Sequence, residues 1–323
     1  FARVAAAIAE SEPVTIAVSR RQWLNARAML PESVRLVEMS TDDSWLRDSG
    51  PNFVINDRGD VRGVDWTFNA YGGHDGGLYA PWNLDDLAAR KVLETERMDR
   101  YRSPLIAEGG GLQCDGEGTL ITTEQCLLNR NRNGHLGKAA VEQQLCDYLG
   151  LEHVIWLPRG FCFDETDGHV DDVCCFVRPG VVAMSWTEDR DDPQYEIVRE
   201  VEDALRSARD ARGRSLEVHR ITHPRPIEMT AEEAESVDQV DSTWARPAGN
   251  RIAATYINYY PGNSAVVVPQ FDDEALDLAA KAKLAELFPQ HRVTGIENSR
   301  EILLGGGNVA CITLPVYAGQ TKA

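Results

Sequence analysis

Residues 252–269 read Ile252-Ala-Ala-Thr-Tyr-Ile-Asn-Tyr-Tyr260-Pro-Gly-Asn-Ser-Ala265-Val-Val-Val-Pro269. Runs rich in aromatic and β-branched residues flank a Pro-Gly-Asn-Ser turn, which is a hairpin signal. Asp272 or Asp273 then offers a helix cap, and Leu276, Ala280, Leu284 and Leu287 recur at helical spacing. A short strand around Val293 and a loop complete the order hairpin, helix, strand, loop.

The same order recurs upstream. Val173–Arg178 and Val181–Trp186 flank Pro179-Gly180, with a helix expected near 194–212 and a strand at Leu216–Thr222. Leu112–Asp115 and Thr119–Leu128 flank a Gly-Glu-Gly turn, with a helix near 136–149 and a strand at His153–Leu157. Phe53–Asn56 and Asp60–Trp66 flank Asp-Arg-Gly, leading to a helix near 84–99 and a strand at Pro104–Ala107. At the front, a helix near 20–30 and a strand at Val34–Met39 form a module whose hairpin would be completed by Asn308–Leu314 or by residues ahead of Phe1. Five such modules predict one closed, repeating α/β domain over residues 1–323. The competing arrangement is an ordinary α/β sheet in two domains.

The 323 residues are 43% hydrophobic, enough for a sizeable core, and no stretch approaches the ~18 apolar residues of a membrane helix. The chain begins with Phe rather than Met, so residues are expected to precede it. No signal peptide is visible. Lys and Arg number 33 against 51 Asp and Glu, a net charge of −18. That surface repels nucleic acid and anionic lipid and favours cationic small molecules. The seven cysteines form no CxxC pair, which predicts free thiols in a reducing cytoplasm. The histidines form no HxxxH or HExxH group, so no metal is expected.

Ionisable residues collect in the loop after each module's last strand. The first runs from Ser40 to Pro51 and contains Asp48. The second, Glu108 to Asp115, contains Gly109-Gly110-Gly111. The third, Phe163 to Asp172, contains His169 and Asp171. The loop from His223 to Glu228 has no such cluster. The last is Gly305-Gly-Gly-Asn-Val-Ala-Cys311-Ile-Thr313, where glycines bring a bend against a thiol and the residues after it read as a strand. In a closed ring these loops face one end of the axis. A Cys–His pair is a nucleophile with an acid/base partner. Carboxylates in excess of what that pair needs suit a planar cation, since a guanidinium fork matches them bidentately. His169 and Asp171 would share a face on an extended segment. The plainer readings are a local Asp48–Arg47 pair, ordinary turn glycines, and Trp45, Trp66 and Trp82 as core aromatics.

Five stretches carry a resemblance: TDDSWLRDSGP (41–51), VDWTFNAYGG (64–73), DGEGTLITTEQCLLNRNRN (115–133), DETDGHVD (164–171) and REILLGGGN (300–308) followed by CIT (311–313). In these the chain resembles the agmatine deiminases of the porphyromonas-type peptidylarginine deiminase family, within the guanidine-modifying superfamily. The resemblance implies a pentein-type five-bladed pseudosymmetric α/β propeller with no cofactor. It implies Cys311 as nucleophile, His169 as general acid/base and Glu108 as the carboxylate that positions it. Asp48 and Asp171 correspond to the guanidinium clamp. Trp45 would lie over the guanidinium or the aliphatic linker, and Glu165 or Asp164 would meet the amine end of a dicationic substrate. The chain departs from the family pattern at Gln113, Cys114, Ala310, Leu314 and Pro315, which leaves the guanidine compound open between agmatine, arginine, a peptidyl arginine or another. A guanidine-binding relative with reduced turnover and a cysteine hydrolase of amides are the other readings. The oligomeric state is open, a homodimer included.

Overall fold

The computed structural model describes residues 1–237 and 244–318. Helix α1 (Ala2–Ala9) precedes strand β1 (Thr15–Val18), helix α2 (Trp23–Met29) and strand β2 (Arg35–Glu38), and β1 and β2 pair in parallel. Each of the next three modules is an antiparallel hairpin whose second strand pairs in parallel with a strand beyond a helix. These are β3 (Asn52–Ile55), β4 (Val61–Thr67), α3 (Ala88–Glu96) and β5 (Asp99–Ile106); β6 (Gln113–Cys114), β7 (Thr119–Thr123), α4 (Lys138–Leu149) and β8 (His153–Leu157); and β9 (Cys174–Arg178), β10 (Val181–Trp186), α5 (Gln194–Ser207) and β11 (Glu217–Thr222). A short ladder, β12 (Ile227–Glu228) with β13 (Arg251–Ile252), intervenes. The last module is β14 (Tyr260–Pro261), β15 (Ala265–Pro269), α6 (Glu274–Leu287) and β16 (Arg292–Ile296). The sheets are separate, of two or three strands, and none among the described residues closes on itself. No helix among these residues is long and apolar enough to cross a membrane.

The middle strands β7, β10 and β15 are buried at every position. A strand covered on both faces needs a continuous apolar run rather than alternation, and Val181-Val-Ala-Met-Ser-Trp186 and Ala265-Val-Val-Val-Pro269 supply it. The core joins neighbouring modules. Ile197, Val198, Val201 and Leu205 of α5 share a cluster with Val182 and Met184 of β10 and with Ile121, Ile155 and Leu157 of the module before. Leu284 and Leu287 of α6 cluster with Val266, Val268, Ala183 and Ile221. Burial of this kind contributes about 1.5–3 kcal/mol per large aliphatic side chain, which is what fixes one module against the next.

Several expectations need correction. The helix near 84–99 spans only Ala88–Glu96, because Arg97 turns left-handed at φ 56° and frees Asp99 to begin a strand five residues earlier than expected. The strand expected to reach Leu128 stops at Thr123, whose hydroxyl caps the short helix Glu124–Leu127 by accepting from Cys126 N. Ile252–Tyr260 is not one strand. Ile252 pairs with Ile227, and the segment bends through Ala254 N–Ile252 O and Tyr259 N–Ile257 O hydrogen bonds before Tyr260 joins β15. The residues around Cys311 form a turn rather than a strand, and Thr15–Val18 completes the first module in parallel. The helices expected at 194–212 and 136–149 end at Ser207 and begin at Lys138.

Asp273, not Asp272, caps α6, accepting from Leu276 N at 3.4 Å and from Arg225 Nε at 2.7 Å. Asp273→Ala should therefore cost about 1 kcal/mol of stability. A chemical-denaturation midpoint that does not move would show that the helix does not depend on this cap.

Candidate active site

The site is assembled from loops that follow β2, β5, β8 and β16. Asp48 sits on a single helical turn, Leu46–Ser49, not on an extended segment. Arg47 N donates to Cys311 O at 3.0 Å, and Gly110 N donates to Asp48 Oδ1 at 2.8 Å. These two bonds tie the Asp48 turn to the Cys311 turn and to the Glu108 loop. Strand β7 holds the Glu108 loop and the His169 loop: Thr122 Oγ1 donates to Gly111 O at 2.8 Å and Thr123 Oγ1 to Gly168 O at 2.7 Å. Asp164 acts locally, accepting from His169 N at 2.7 Å and Gly168 N at 3.1 Å. Asp171 lies in a tight 3₁₀ turn, Val170–Asp172, again not an extended segment.

His169 is buried between two carboxylates, with Nδ1 3.9 Å from Asp48 Oδ1 and Nε2 3.7 Å from Glu108 Oε2. Gly110 lies among them. A Cβ there would stand 2.7 Å from His169 Nδ1, 2.8 Å from Asp48 Oδ1 and 3.0 Å from Asp171 Oδ2. The glycine is thus required by close approach, a reason more specific than a turn. Tyr71 donates its hydroxyl to Asp48 Oδ2 at 2.9 Å, and its ring lies 5.9 Å from the imidazole. Both carboxylate oxygens of Asp171 are buried without a partner. Such a group needs a proton or a cation.

The electrostatics follow from burial and from who stands beside whom. Burial pushes the Asp48 carboxyl up from its ordinary value. Burial, then the Asp171 and Asp164 charges, raise Asp172 well above it, against His169 and the Asn258 amide. Burial raises Asp171 to about 7. Glu108 goes the other way. Burial would raise it, but the Arg132 guanidinium, 2.7 Å away through Nε, and His169 bring it down to about 2. Burial works against a charged His169, yet Asp48, Cys126 and Glu108 together hold it well above its ordinary value.

Cys311 is buried on the turn after the glycines. Trp45 fills the space those glycines leave: a Cβ at Gly307 would stand 2.6 Å from the indole, and one at Gly305 3.0 Å. Burial, then Asp171, Asp172 and Asp48, raise the Cys311 thiol well above its ordinary value. A crevice lined by Trp45, Asp48, Tyr71, His169, Asp172 and Cys311 opens at this point. Glu165 stands at its rim over Gly306, paired with Arg246 through Nε–Oε1 at 2.7 Å and Nη2–Oε2 at 2.6 Å. The cation of Arg246 thus lies beside the acidic loops, with two of its donors already spent on Glu165.

The structure thus brings Cys311, His169, Glu108, Asp48, Asp171 and Trp45 together, with Glu165 at the edge. Sequence reasoning passed over Tyr71, Arg132, Asp172 and Asn258. Tyr71 lay inside the VDWTFNAYGG stretch and Arg132 inside the LLNRNRN stretch, so both had a visible signal; Asn258 had none. One atom each from Glu108, Cys126 and His169 also lies within 4.8 Å of the others, a spacing open to a metal ion. Arg132 already supplies Glu108 with its counter-charge, so the trio is better suited to holding a proton.

A family model, Porphyromonas-type peptidyl-arginine deiminase, matches residues 1–316. An agmatine deiminase of Pseudomonas aeruginosa is 53% identical over 315 residues, 97% of this chain and 85% of that protein. An agmatine deiminase of Ectopseudomonas mendocina is 53% identical over 322 residues, 99% of this chain and 87% of the relative. Among solved structures, the agmatine deiminase of Enterococcus faecalis superposes with a TM-score of 0.92 at 45% identity, covering 97% of this chain and 85% of that one.

Asp48 is the largest influence holding a proton on His169. Asp48→Asn should lower the titration midpoint of the His169 ring, followed by NMR of the imidazole protons. An unchanged midpoint would mean that Glu108 and Cys126 suffice.

Proposed function

This chain belongs to the Porphyromonas-type peptidyl-arginine deiminase family, and we propose that it is an agmatine deiminase that hydrolyses agmatine to N-carbamoylputrescine and ammonia. The observation that carries the reading is the convergence on Gly110 of an acid/base imidazole and two buried carboxylates, one of them unpartnered, with His169 and Asp48 of that cluster lining the crevice that holds the Cys311 thiol. A guanidinium is the ligand whose charge and flat fork answer that arrangement. Shared identity above half with agmatine deiminases over nearly the whole chain supports the same reading.

Asp48 and Asp171 hold the guanidinium with its central carbon toward Cys311, and Trp45 covers it. In the empty site the acidic surroundings keep the sulfur protonated. The arriving cation offsets those carboxylates and favours the thiolate, the thiol proton passing to solvent at the crevice mouth. Sulfur attacks the central carbon to give a tetrahedral adduct. His169, held charged by Asp48 and Glu108, protonates one departing nitrogen, and ammonia leaves an amidino-thioether on Cys311. His169, now neutral, takes a proton from water as the oxygen attacks the same carbon. As the carbon–oxygen double bond forms, the carbon–sulfur bond breaks with its electron pair on sulfur; the hydroxyl proton is then taken up by that thiolate, the ureido product departs, and the thiol and imidazolium are restored. Glu108, anchored by Arg132, keeps the imidazole in place through both steps.

Glu165 is the group we assign to the amine end, where an ammonium would share its carboxylate with Arg246. The α-carboxylate of free arginine would instead meet Glu165 and the nearby acidic loops, a costly approach in a partly desolvated crevice. The five repeated modules we read as blades of a five-bladed propeller within one catalytic domain, an arrangement supported by the gathering of four inter-module loops at one site. Seven free thiols suit the cytoplasm. Every residue in this account comes from one chain.

Ammonia and ureido product measured side by side on agmatine, arginine and a peptidyl arginine test the reading. Agmatine should have the highest kcat/KM. Cys311→Ser should abolish product while Cys114→Ser keeps it. Equal or faster turnover of arginine overturns the substrate, and retained turnover in Cys311→Ser overturns the mechanism.

The pH profile carries a second expectation. A carboxyl raised to about 7 is charged only above that value, so the clamp at Asp171 weakens as pH falls through it. kcat/KM should decline on the acid side near neutrality. Asp171→Asn should remove that limb and cost at least about 2 kcal/mol of transition-state stabilisation above it. A wild-type acid limb that persists in Asp171→Asn would assign it to another group.

A further inference from the structure

Asn258 lies in the bend of the last module, fully buried, more than fifty residues from Cys311 in sequence. Its Oδ1 accepts from the backbone N–H of Ala310 at 2.8 Å and of Cys311 at 3.3 Å. A backbone N–H can only donate, so this end of the amide must be the oxygen. The other end is thereby the NH₂. One of its bonds goes to Asp172 Oδ1 at 3.1 Å and the other to Cys311 Sγ at 3.2 Å. Both N–H groups are used, and the side chain has no alternative orientation that satisfies the backbone. The thiol proton also has Oδ1 within 3.5 Å, a contact that exists only while sulfur is protonated.

We propose that Asn258 is a further catalytic residue, whose Nδ2–H donates to the Cys311 sulfur and stabilises its thiolate. The inference rests on the reading of Cys311 as nucleophile. Facing the sulfur are Asp48, Asp171 and Asp172, with His169 and the hydroxyl of Tyr71 on the crevice wall. Three carboxylates and burial oppose ionisation. The substrate's guanidinium relieves them at the first attack, but the ureido group that replaces it is neutral. When the carbon–sulfur bond breaks, the sulfur takes the electron pair without a cationic ligand in the clamp. A fixed donor aimed at the sulfur acts at that moment as well as at the first, and its geometry is set by two backbone bonds before any substrate arrives.

The test uses two variants. Asn258→Ala loses donor and acceptor. Asn258→Asp keeps the acceptor for the two backbone N–H groups and the shape, but loses the donor and adds charge. Iodoacetamide alkylation of Cys311, located by peptide mass mapping against the other six cysteines, is followed as a function of pH without substrate. Thermal unfolding checks that each variant folds. The proposal expects the alkylation midpoint to rise by about one pH unit or more in Asn258→Ala, since a hydrogen bond to an anion is worth that much. It expects kcat to fall about 10²-fold with a smaller change in KM, and Asn258→Asp to be no better than Asn258→Ala. A purely structural clamp predicts the reverse order, with Asn258→Asp near wild type. Should Asn258→Ala fail to fold, Asn258→Asp decides alone: wild-type midpoint and turnover within about threefold, roughly the scatter of a neutral change, overturns the proposal. Failure of the underlying reading is separate, because it appears as turnover in Cys311→Ser whatever Asn258 does.

Discussion

Four carboxylates, those of Asp48, Glu108, Asp171 and Asp172, are buried around one imidazole, and among the described residues only Glu108 has a guanidinium against it. That guanidinium is Arg132, whose side chain is itself wholly buried and also reaches Asp167 at 2.8 Å and Thr166 O at 3.2 Å. The pair is the fixed point of the site. Breaking a buried pair by removing one partner costs several kcal/mol, because the remaining charge is stranded. Here it would also loosen the loop that carries His169, since Arg132 holds Thr166 and Asp167 of that loop.

The other carboxylates are managed by weaker means. Asp48 receives Gly110 N–H and the Tyr71 hydroxyl, and Asp172 receives the Asn258 amide. Asp171 receives nothing. Charge that folding has not compensated becomes available for a ligand, which is why this cluster reads as a cation site rather than as a structural network. The backbone makes the crowding feasible. Gly110 lets His169, Asp48 and Asp171 approach where any Cβ would collide with all three, and Gly307 gives its place to the Trp45 ring.

What the sequence made legible follows from the same physics. Val181–Trp186 and His153–Leu157 were readable to the residue because their apolar runs coincide with burial or with a parallel partner in full register. The Gly109–Gly111 and Gly305–Gly307 runs were readable as unusual turns, though not the side chains that occupy their missing Cβ positions. Thr123 defeated the strand reading, since a β-branched residue suits a strand while its hydroxyl caps a helix equally well. Thr15–Val18 was missed because four residues of which only Val18 is buried show no strong pattern. Asn258 is the clearest limit. Its partners, Asp172 and Cys311, are 86 and 53 residues away, and no spacing within its own segment encodes that meeting.

The titration shifts connect this architecture to stability. Glu108, lowered to about 2, contributes stability that is complete above its ordinary value near 4.3 and is lost as pH falls toward 2. Asp171, raised to about 7, has the opposite sign. The folded chain binds its proton more tightly than the unfolded chain, so stability falls as pH rises from about 4 to 7 and stays lower above that. At neutral pH the empty site therefore opposes folding at Asp171 while Arg132 secures it at Glu108. A bound cation reverses the first term without touching the second, since a ligand that binds only the folded state stabilises it in proportion to its occupancy. On the proposed reading, the fold holds one carboxylate permanently compensated as the anchor for the imidazole, and leaves another without a hydrogen-bond partner, where a guanidinium would complete the charge balance.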